Sequence, residues 1–333
     1  MPAPLTEVTE LATALGMLAP DLHQAVEGGL PDRLHHVPLE VWDRLVVEHR
    51  SGDRADAFAA AFANGQAFLW ADDGLRMRPP KLVEWHGPHR PPGDDVIPAD
   101  LRVDHVFQVS CKYLSRITQN SGPSRLFDRL LVGEDRTGGD WFAEVALDEY
   151  QSLYEVVRTH IAEPLPDRVG DLDGERRRTI KASLSERRLP DDLVGPWGTL
   201  CAAVAATSAE RWRAQLDTER KRLRMLWRLC RIGDAPYFVL GADRQSSLRL
   251  RVASAWDWVQ DHELLTLRIE ARDAGQPEVA WHAEIAQRAT GHRIDVRGHV
   301  EIRWSHGRFS GSPEAKVYLD TPHVEVPGYH PLT

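Results

Sequence analysis

Two short runs of alternating character lie side by side at residues 98–115, in the segment PADLRVDHVFQVSCKYLS. Successive side chains of a strand point to opposite faces, so residues two apart share a face. Asp100, Arg102 and Asp104 therefore fall on one face of the first run, and Gln108, Ser110 and Lys112 on one face of the second. No clear turn separates the runs, so one long bent strand and a tight pair both fit. If they pair, an acid meets Ser110 and Lys112 across the ladder. A lysine set among the apolar residues of VFQVSCKYL needs an acidic partner. The fold must therefore combine a sheet at this point with the helical blocks on either side of it.

The remaining chain divides by periodicity. Residues 1–35 read as a peripheral helical segment, broken by Gly and Pro. A helix around Val41, Leu45 and Val46 follows, then a second, ADAFAAAFANG, with Phe58 and Phe62 on one face. Ser51 or Asp53 can cap it, and Asn64-Gly65 reads as its left-handed stop. AFLW, LRMR and KLVEW read as short strands, and residues 87–98 as a Pro/Gly loop. Residues 123–231 are mainly helical, with a break expected at Thr207-Ser208. Beyond Ala235 the runs PYFVLGAD, SLRLRVAS, ELLTLRIEAR, EVAWHAEIAQ, HRIDVRGHVEIRW and AKVYLD read as strands. The expected organisation is an N-terminal segment at 1–35, a main domain at 36–233 and a β-rich C-terminal domain at 234–333, although the later strands can also join the earlier sheet.

Composition narrows the function classes. At 333 residues and 27% charged residues the chain is that of an ordinary globular protein. No run approaches ~18 consecutive apolar residues, so no membrane span is expected. The N-terminus lacks a basic leader region, and the three cysteines are widely spaced, so a reducing cytoplasmic setting is expected. A net charge of −9 argues against a coating nucleic-acid binder but leaves room for a local basic surface. No Walker A, GxGxxG or GxSxG motif is present, and the loop Gly133–Gly139 lacks a Gly-Lys-Ser ending.

Asp100, nine residues, then Ser110-Cys111-Lys112 resembles the core of the PD-(D/E)XK nuclease superfamily, which includes many restriction endonucleases. Pro98-Ala99-Asp100 is similar to its Pro-Asp element with one residue inserted. The resemblance implies an α+β or α/β fold with a restriction-endonuclease-like central sheet flanked by helices. It implies magnesium- or manganese-dependent hydrolysis of DNA, as a restriction or phage-defence endonuclease. Asp100 would ligate the metal, with Asp104 or Glu84 as further ligands; Lys112 would position water or stabilise charge on the phosphate, and Ser110 would complete the motif. A glutamate on the helix preceding the sheet often assists in this family, and Glu48 is the position expected to match. Ser110 stands where the family has Asp or Glu, and a hydroxyl is a weaker metal ligand than a carboxylate. Many such enzymes cut duplexes as symmetric dimers, so a homodimer is one option.

Other features compete with this reading. Asp100, Arg102 and Asp104 also read as a solvated strand face, and Lys112 as an ordinary edge lysine. A second Glu-x-Lys stands at Glu314-Ala315-Lys316, with Asp295 upstream. His282, His292, His299, His306, His323 and His330 gather late in the chain without a metal-ligand spacing. Two basic tracts occur, the first at Arg176–Arg188. In the second, Arg220, Arg224, Arg228 and Arg231 step along one face of a helix, where they can track phosphates. The alternative function is a non-catalytic DNA-binding or assembly subunit using that helix and the C-terminal sheet.

Overall fold

A computed structural model describes residues 4–87, 97–113, 117–132, 139–186, 188–242 and 247–333. Leu114 and Ser115, most of the 87–98 loop, residues 133–138 of the glycine loop, and Arg187 of the first basic tract lie outside the described residues. The protein is mixed α+β, with a mixed seven-stranded sheet and a separate antiparallel five-stranded one. It divides into two compact units. One comprises residues 1–116, 231–262 and 322–333, and the other residues 117–230 and 263–321.

With elements numbered along the whole chain, the first unit begins with α1 (Pro4–Leu18), α2 (Leu22–Glu27), β1 (Leu34–His35), α3 (Leu39–Ser51) and α4 (Ala55–Trp70). The strands β2 (Val83–Trp85), β3 (Leu101–Val103) and β4 (Phe107–Tyr113) follow. The chain returns to this unit with β6 (Tyr237–Ala242), β7 (Ser247–Val252) and α11 (Ala255–Asp261), and ends with β12 (Tyr329–Pro331). The sheet order is β1-β2-β3-β4-β6-β7-β12. The stretch beyond Ala235 thus gives two of its strands to the sheet that holds the central segment. β4 and β6 run parallel, as a long crossover allows, while β2, β3 and β4 form an antiparallel meander.

Helix α1 is the surprise of this unit. Instead of lying at the periphery, it is buried from Glu7 to Met17, with Val8, Leu11, Ala12, Ala14 and Leu15 at 0% exposure. A helix closed to water all round belongs in a core. Its partner α4 does not stop at Asn64-Gly65 but runs on to Trp70, so the run AFLW is helical, and LRMR forms turns. The reason is close approach. A Cβ at Gly65 would lie 2.0 Å from the Thr13 carbonyl oxygen, and one at Gly16 would lie 2.1 Å from that of Phe62. The glycines serve the crossing of two helices, and no left-handed turn is needed. Asn64, fully buried, donates to the Gly241 carbonyl at 2.7 Å and accepts from Arg249 Nε at 2.9 Å, tying α4 to β6 and β7.

The second unit holds β5 (Ile117–Ser121), α5 (Pro123–Phe127), α6 (Trp141–Val145), α7 (Leu147–Thr159), α8 (Gly174–Ser183), α9 (Asp191–Gln215) and α10 (Glu219–Leu229). Its sheet is completed by β8 (His262–Asp273), β9 (Pro277–Gln287), β10 (Arg293–Arg303) and β11 (Glu314–Leu319), in the order β5-β11-β10-β9-β8. Helix α9 passes through Thr207-Ser208 without a break. Ser208 is fully buried and its Oγ accepts from Trp141 Nε1 at 3.0 Å. The interruption comes instead at Leu216–Asp217, after which Thr218 caps α10. Trp304 and Phe309 stack, with Tyr150, Phe142 and Trp197 around them. Trp141, Trp212 and Trp281 are also fully buried here, so much of the tryptophan content is core.

Candidate active site

The central segment is a tight pair. Asp104 and His105 take positive φ values of 50° and 61°, and Val106 N donates to the Val103 carbonyl at 3.0 Å. Positive φ at both central positions is the turn that suits the twist of a hairpin. Leu101 then pairs with Val109, which sets Asp100 opposite Ser110. Leu101, Val103, Val109 and Cys111 enter the core packed beside α1 and α4, so Ser110 belongs to the alternate set of side chains.

Asp100 is 4% exposed and closes the ladder with its own side chain. Its backbone N donates to the Val109 carbonyl at 2.9 Å. Its Oδ2 accepts from Cys111 N at 2.6 Å and from Ser110 Oγ at 3.3 Å. The carboxylate thus accepts an amide on β4 just before β3 begins. A buried amide without an acceptor would cost ~1–3 kcal/mol, so Asp100 has structural weight whatever its chemistry.

The Cys111 thiol, on the core side, feels the charges around it. Burial pushes it well above its ordinary pKa, the negative charges of Asp100 and Glu10 push further up, and Thr13 and the Lys112 ammonium oppose them. A buried helix carboxylate stands on the Cys111 side of the sheet, Glu10 of α1, which the sequence reading passed over. It is 5% exposed and accepts from Trp85 Nε1 at 2.6 Å. The signal was an acid inside a stretch otherwise suited to a core, LTEVTELATALG, where a buried carboxylate requires partners. Glu48 is engaged elsewhere, 3.4 Å from Arg54.

The two other candidate ligands are held by cations. Glu84 accepts from Arg102 at 2.7 and 2.8 Å and lies 3.0 Å from His105 Nδ1. Asp104 accepts from Arg78 at 2.6 Å and from the amides of Lys81 and Leu82 at 2.7 and 3.1 Å, fastening the hairpin turn. The hydrogen bonds from Arg102 are the main reason the Glu84 pKa falls to about 2, outweighing burial, with His105 adding to them. The folded value lies below the unfolded one, so this contribution to stability is complete above ~4.5 and disappears as pH falls through about 2. Arg102 is 40% exposed, so solvent reduces the contribution to about 1–2 kcal/mol. Glu84→Gln is expected to lower the urea midpoint at neutral pH, and the gap to wild type should close as pH falls toward 2. A gap that stays constant over that range would overturn this assignment.

Hard oxygen donors suit magnesium or manganese, and magnesium commonly takes one or two carboxylates, several waters and substrate phosphates. Asp100 and Glu10 meet that description in type. Among the described residues no group of three His, Cys, Asp or Glu side chains converges as a ligand set.

The rival motif does not assemble. Glu314 bonds to Ser305, to Asn120 at 3.0 Å and to Lys316 at 3.6 Å. It pairs with Arg303, eight residues along β10 from Asp295, which is roughly 26 Å of strand. Asp295 instead binds His282 at 2.7 Å, and His299 binds Asp320 at 2.8 Å while stacking on Tyr318. The basic step of four holds for Arg220, Arg224 and Arg228 within α10. Arg231 lies past its end, 8% exposed with a φ of 56°, and does not extend an exposed ridge. No helix of the described residues is long and apolar enough to cross a membrane. No family model, curated protein or solved structure matches the chain.

Proposed function

We propose that the first unit carries out magnesium- or manganese-dependent phosphodiester hydrolysis of DNA, as a restriction or phage-defence nuclease of the PD-(D/E)XK kind. The observation that carries this reading is the register of β3 on β4. It sets Asp100 against Ser110, with Lys112 two residues further along the strand. In this reading Asp100 would hold the cation, whose chemistry would be to polarise a phosphoryl oxygen and lower the pKa of a bound water. The Lys112 ammonium orients the attacking water or stabilises the negative charge that builds on the phosphate. The hydroxyl of Ser110 fixes the Asp100 carboxylate and brings no charge of its own.

The test is cleavage of duplex DNA by the purified protein in magnesium and in manganese. Wild type is expected to cut, and Lys112→Ala to cut at least about 10²-fold more slowly. Equal cleavage by the two would remove Lys112 from the chemistry. One observation favours the alternative, a non-catalytic DNA-binding or assembly subunit. Ser110 takes the place of an acid, and Glu84 and Asp104 are held in ion pairs, so neither restores the missing charge. Wild type that binds DNA but leaves it intact in both metals would decide for that alternative.

A further inference from the structure

We propose that the outer edge of β8 is an interface for a second copy of this chain, the two β8 strands pairing antiparallel about a two-fold axis at Ile269. β8 runs from His262 to Asp273, 12 residues, and stands last in the order β5-β11-β10-β9-β8. The other three sheet margins are short. β1 has two residues, β12 has three and ends in Pro331, and β5 has five. Short strands and prolines keep a sheet edge from recruiting another strand. β8 contains no proline and is about twice the usual strand length.

The strand has two distinct faces. Leu267 and Ile269 are buried on one, and Arg268 and Glu270 are exposed on the other. Ala271 is exposed although it carries only a methyl, so the main chain is open to water there. Arg272 is held by Glu278 at 3.1 Å. Among the described residues neither Arg268 nor Glu270 makes an ion pair. The Asp295 carboxyl is held below its ordinary range first by the His282 hydrogen bond, and the charge of Arg268 adds to this only at a distance.

The partner is identified by the charge pattern of the strand. A two-fold axis presents the same patch twice, and antiparallel strands keep their faces matched only when the axis passes through a residue. With the axis at Ile269, Arg268 of each copy meets Glu270 of the other, so the contact occurs twice on the polar face. On the apolar face Ile269 meets itself and Leu267 meets Ala271. The overlap covers residues 265–273, roughly 30 Å of strand. Moving the axis by one residue sets Arg268 against Arg268 or Glu270 against Glu270, and like charges directly opposite destabilise a sheet. At Leu267 the axis would pair Arg268 with Thr266 and Glu270 with Leu264. At Ala271 it would pair Glu270 with Arg272, which Glu278 already holds, over a shorter overlap. Charges of one sign would blunt this edge; the alternating signs select one register and one partner, the same strand. The pairing adds a strand to each sheet through main-chain hydrogen bonds, and the cross-strand charges give specificity. Residues 263–273 belong to the second unit, whereas Asp100 and Lys112 belong to the first, so the inference stands whether or not the protein cuts DNA.

The experiment is sedimentation equilibrium of the full chain over a dilution series. Wild type is expected to be dimeric at ~100 µM and to dissociate on dilution. Glu270→Arg sets arginine against arginine across the axis, and Arg268→Glu sets glutamate against glutamate. Because the two-fold repeats the contact, each variant should dimerise at least about tenfold more weakly than wild type. Glu270→Gln removes the charge without adding repulsion and should weaken the dimer severalfold. Both positions are exposed, so unchanged urea midpoints should separate loss of the interface from misfolding. An equimolar mixture of Glu270→Arg and Arg268→Glu restores an opposite-charge pair at both contacts. It should form a heterodimer at least as tight as the wild-type dimer. A wild type that stays monomeric at ~100 µM, a dimer unaffected by either reversal, or a mixture no more associated than its two components would each overturn the proposal.

Discussion

Alanine at Gly65 is expected to destabilise the first unit by about 3 kcal/mol or more, the upper range for overpacking in a closed core. The new methyl would lie 2.0 Å from the Thr13 carbonyl oxygen and 3.0 Å from Gly16 Cα. Both are main-chain atoms of a buried helix, so no side chain can rotate away. α1 and α4 would have to separate, opening the core that Phe58, Ala61 and Phe68 share with Leu11, Ala12 and Leu15. The Asn64 bonds to Gly241 and Arg249 would be displaced as well, because Asn64 is the adjoining residue. Gly198→Ala in α9 is the matched control. It is helical, nothing lies within 4 Å of its added Cβ, and it should stabilise the chain by about 0.5–1 kcal/mol through helix propensity alone. Urea unfolding and hydrogen exchange in α1 and α4 read both effects. A Gly65→Ala protein as stable as wild type would show that the two helices do not cross so closely.

The same glycine explains part of what the sequence did and did not reveal. Asn-Gly after an apolar helix is a good local sign of a left-handed stop, and nothing local distinguishes it from a glycine that admits a neighbouring backbone. That difference depends on α1, some fifty residues earlier in the chain. The strands beyond Ala235 were readable because β-branched and alternating residues mark them locally. Their sheet membership was left open, because it depends on the parallel pairing of β6 with β4, across the 117–230 segment of the second unit. The period of two placed Asp100 and Ser110 on extended runs but left a bent strand and a tight pair both open; the positive φ values of Asp104 and His105, which decide for the pair, have no Gly or Asn to announce them. The helix carboxylate was not readable. Glu48 looked suitable because its helix shows a clear amphipathic stripe, whereas α1 is buried on every side and its uniform pattern resembles a peripheral segment. For Glu10 the informative property was its company, two acids in a run of residues that all enter a core.

Asparagine and alanine at Asp100 should part company, and their difference tests the candidate site more sharply than either alone. Asp100→Ala removes the acceptor for Cys111 N and Ser110 Oγ, both inside the protein. It is expected to cost about 1–3 kcal/mol in stability, so loss of DNA cleavage by that variant would not by itself identify a metal ligand. Asp100→Asn keeps an amide oxygen that can accept from Cys111 N. It removes the negative charge that a hard cation requires. Its urea midpoint should lie much closer to wild type than that of the alanine variant, while magnesium-dependent cleavage falls at least about 10²-fold. If asparagine cuts DNA as well as wild type and only alanine fails, Asp100 serves the ladder and the metal reading of it is lost. If both variants fail and only alanine is destabilised, the two functions of this carboxylate are separated. Ser110 then has a physical place in the motif, as the hydroxyl that holds the remaining acid where a second acid would have repelled it.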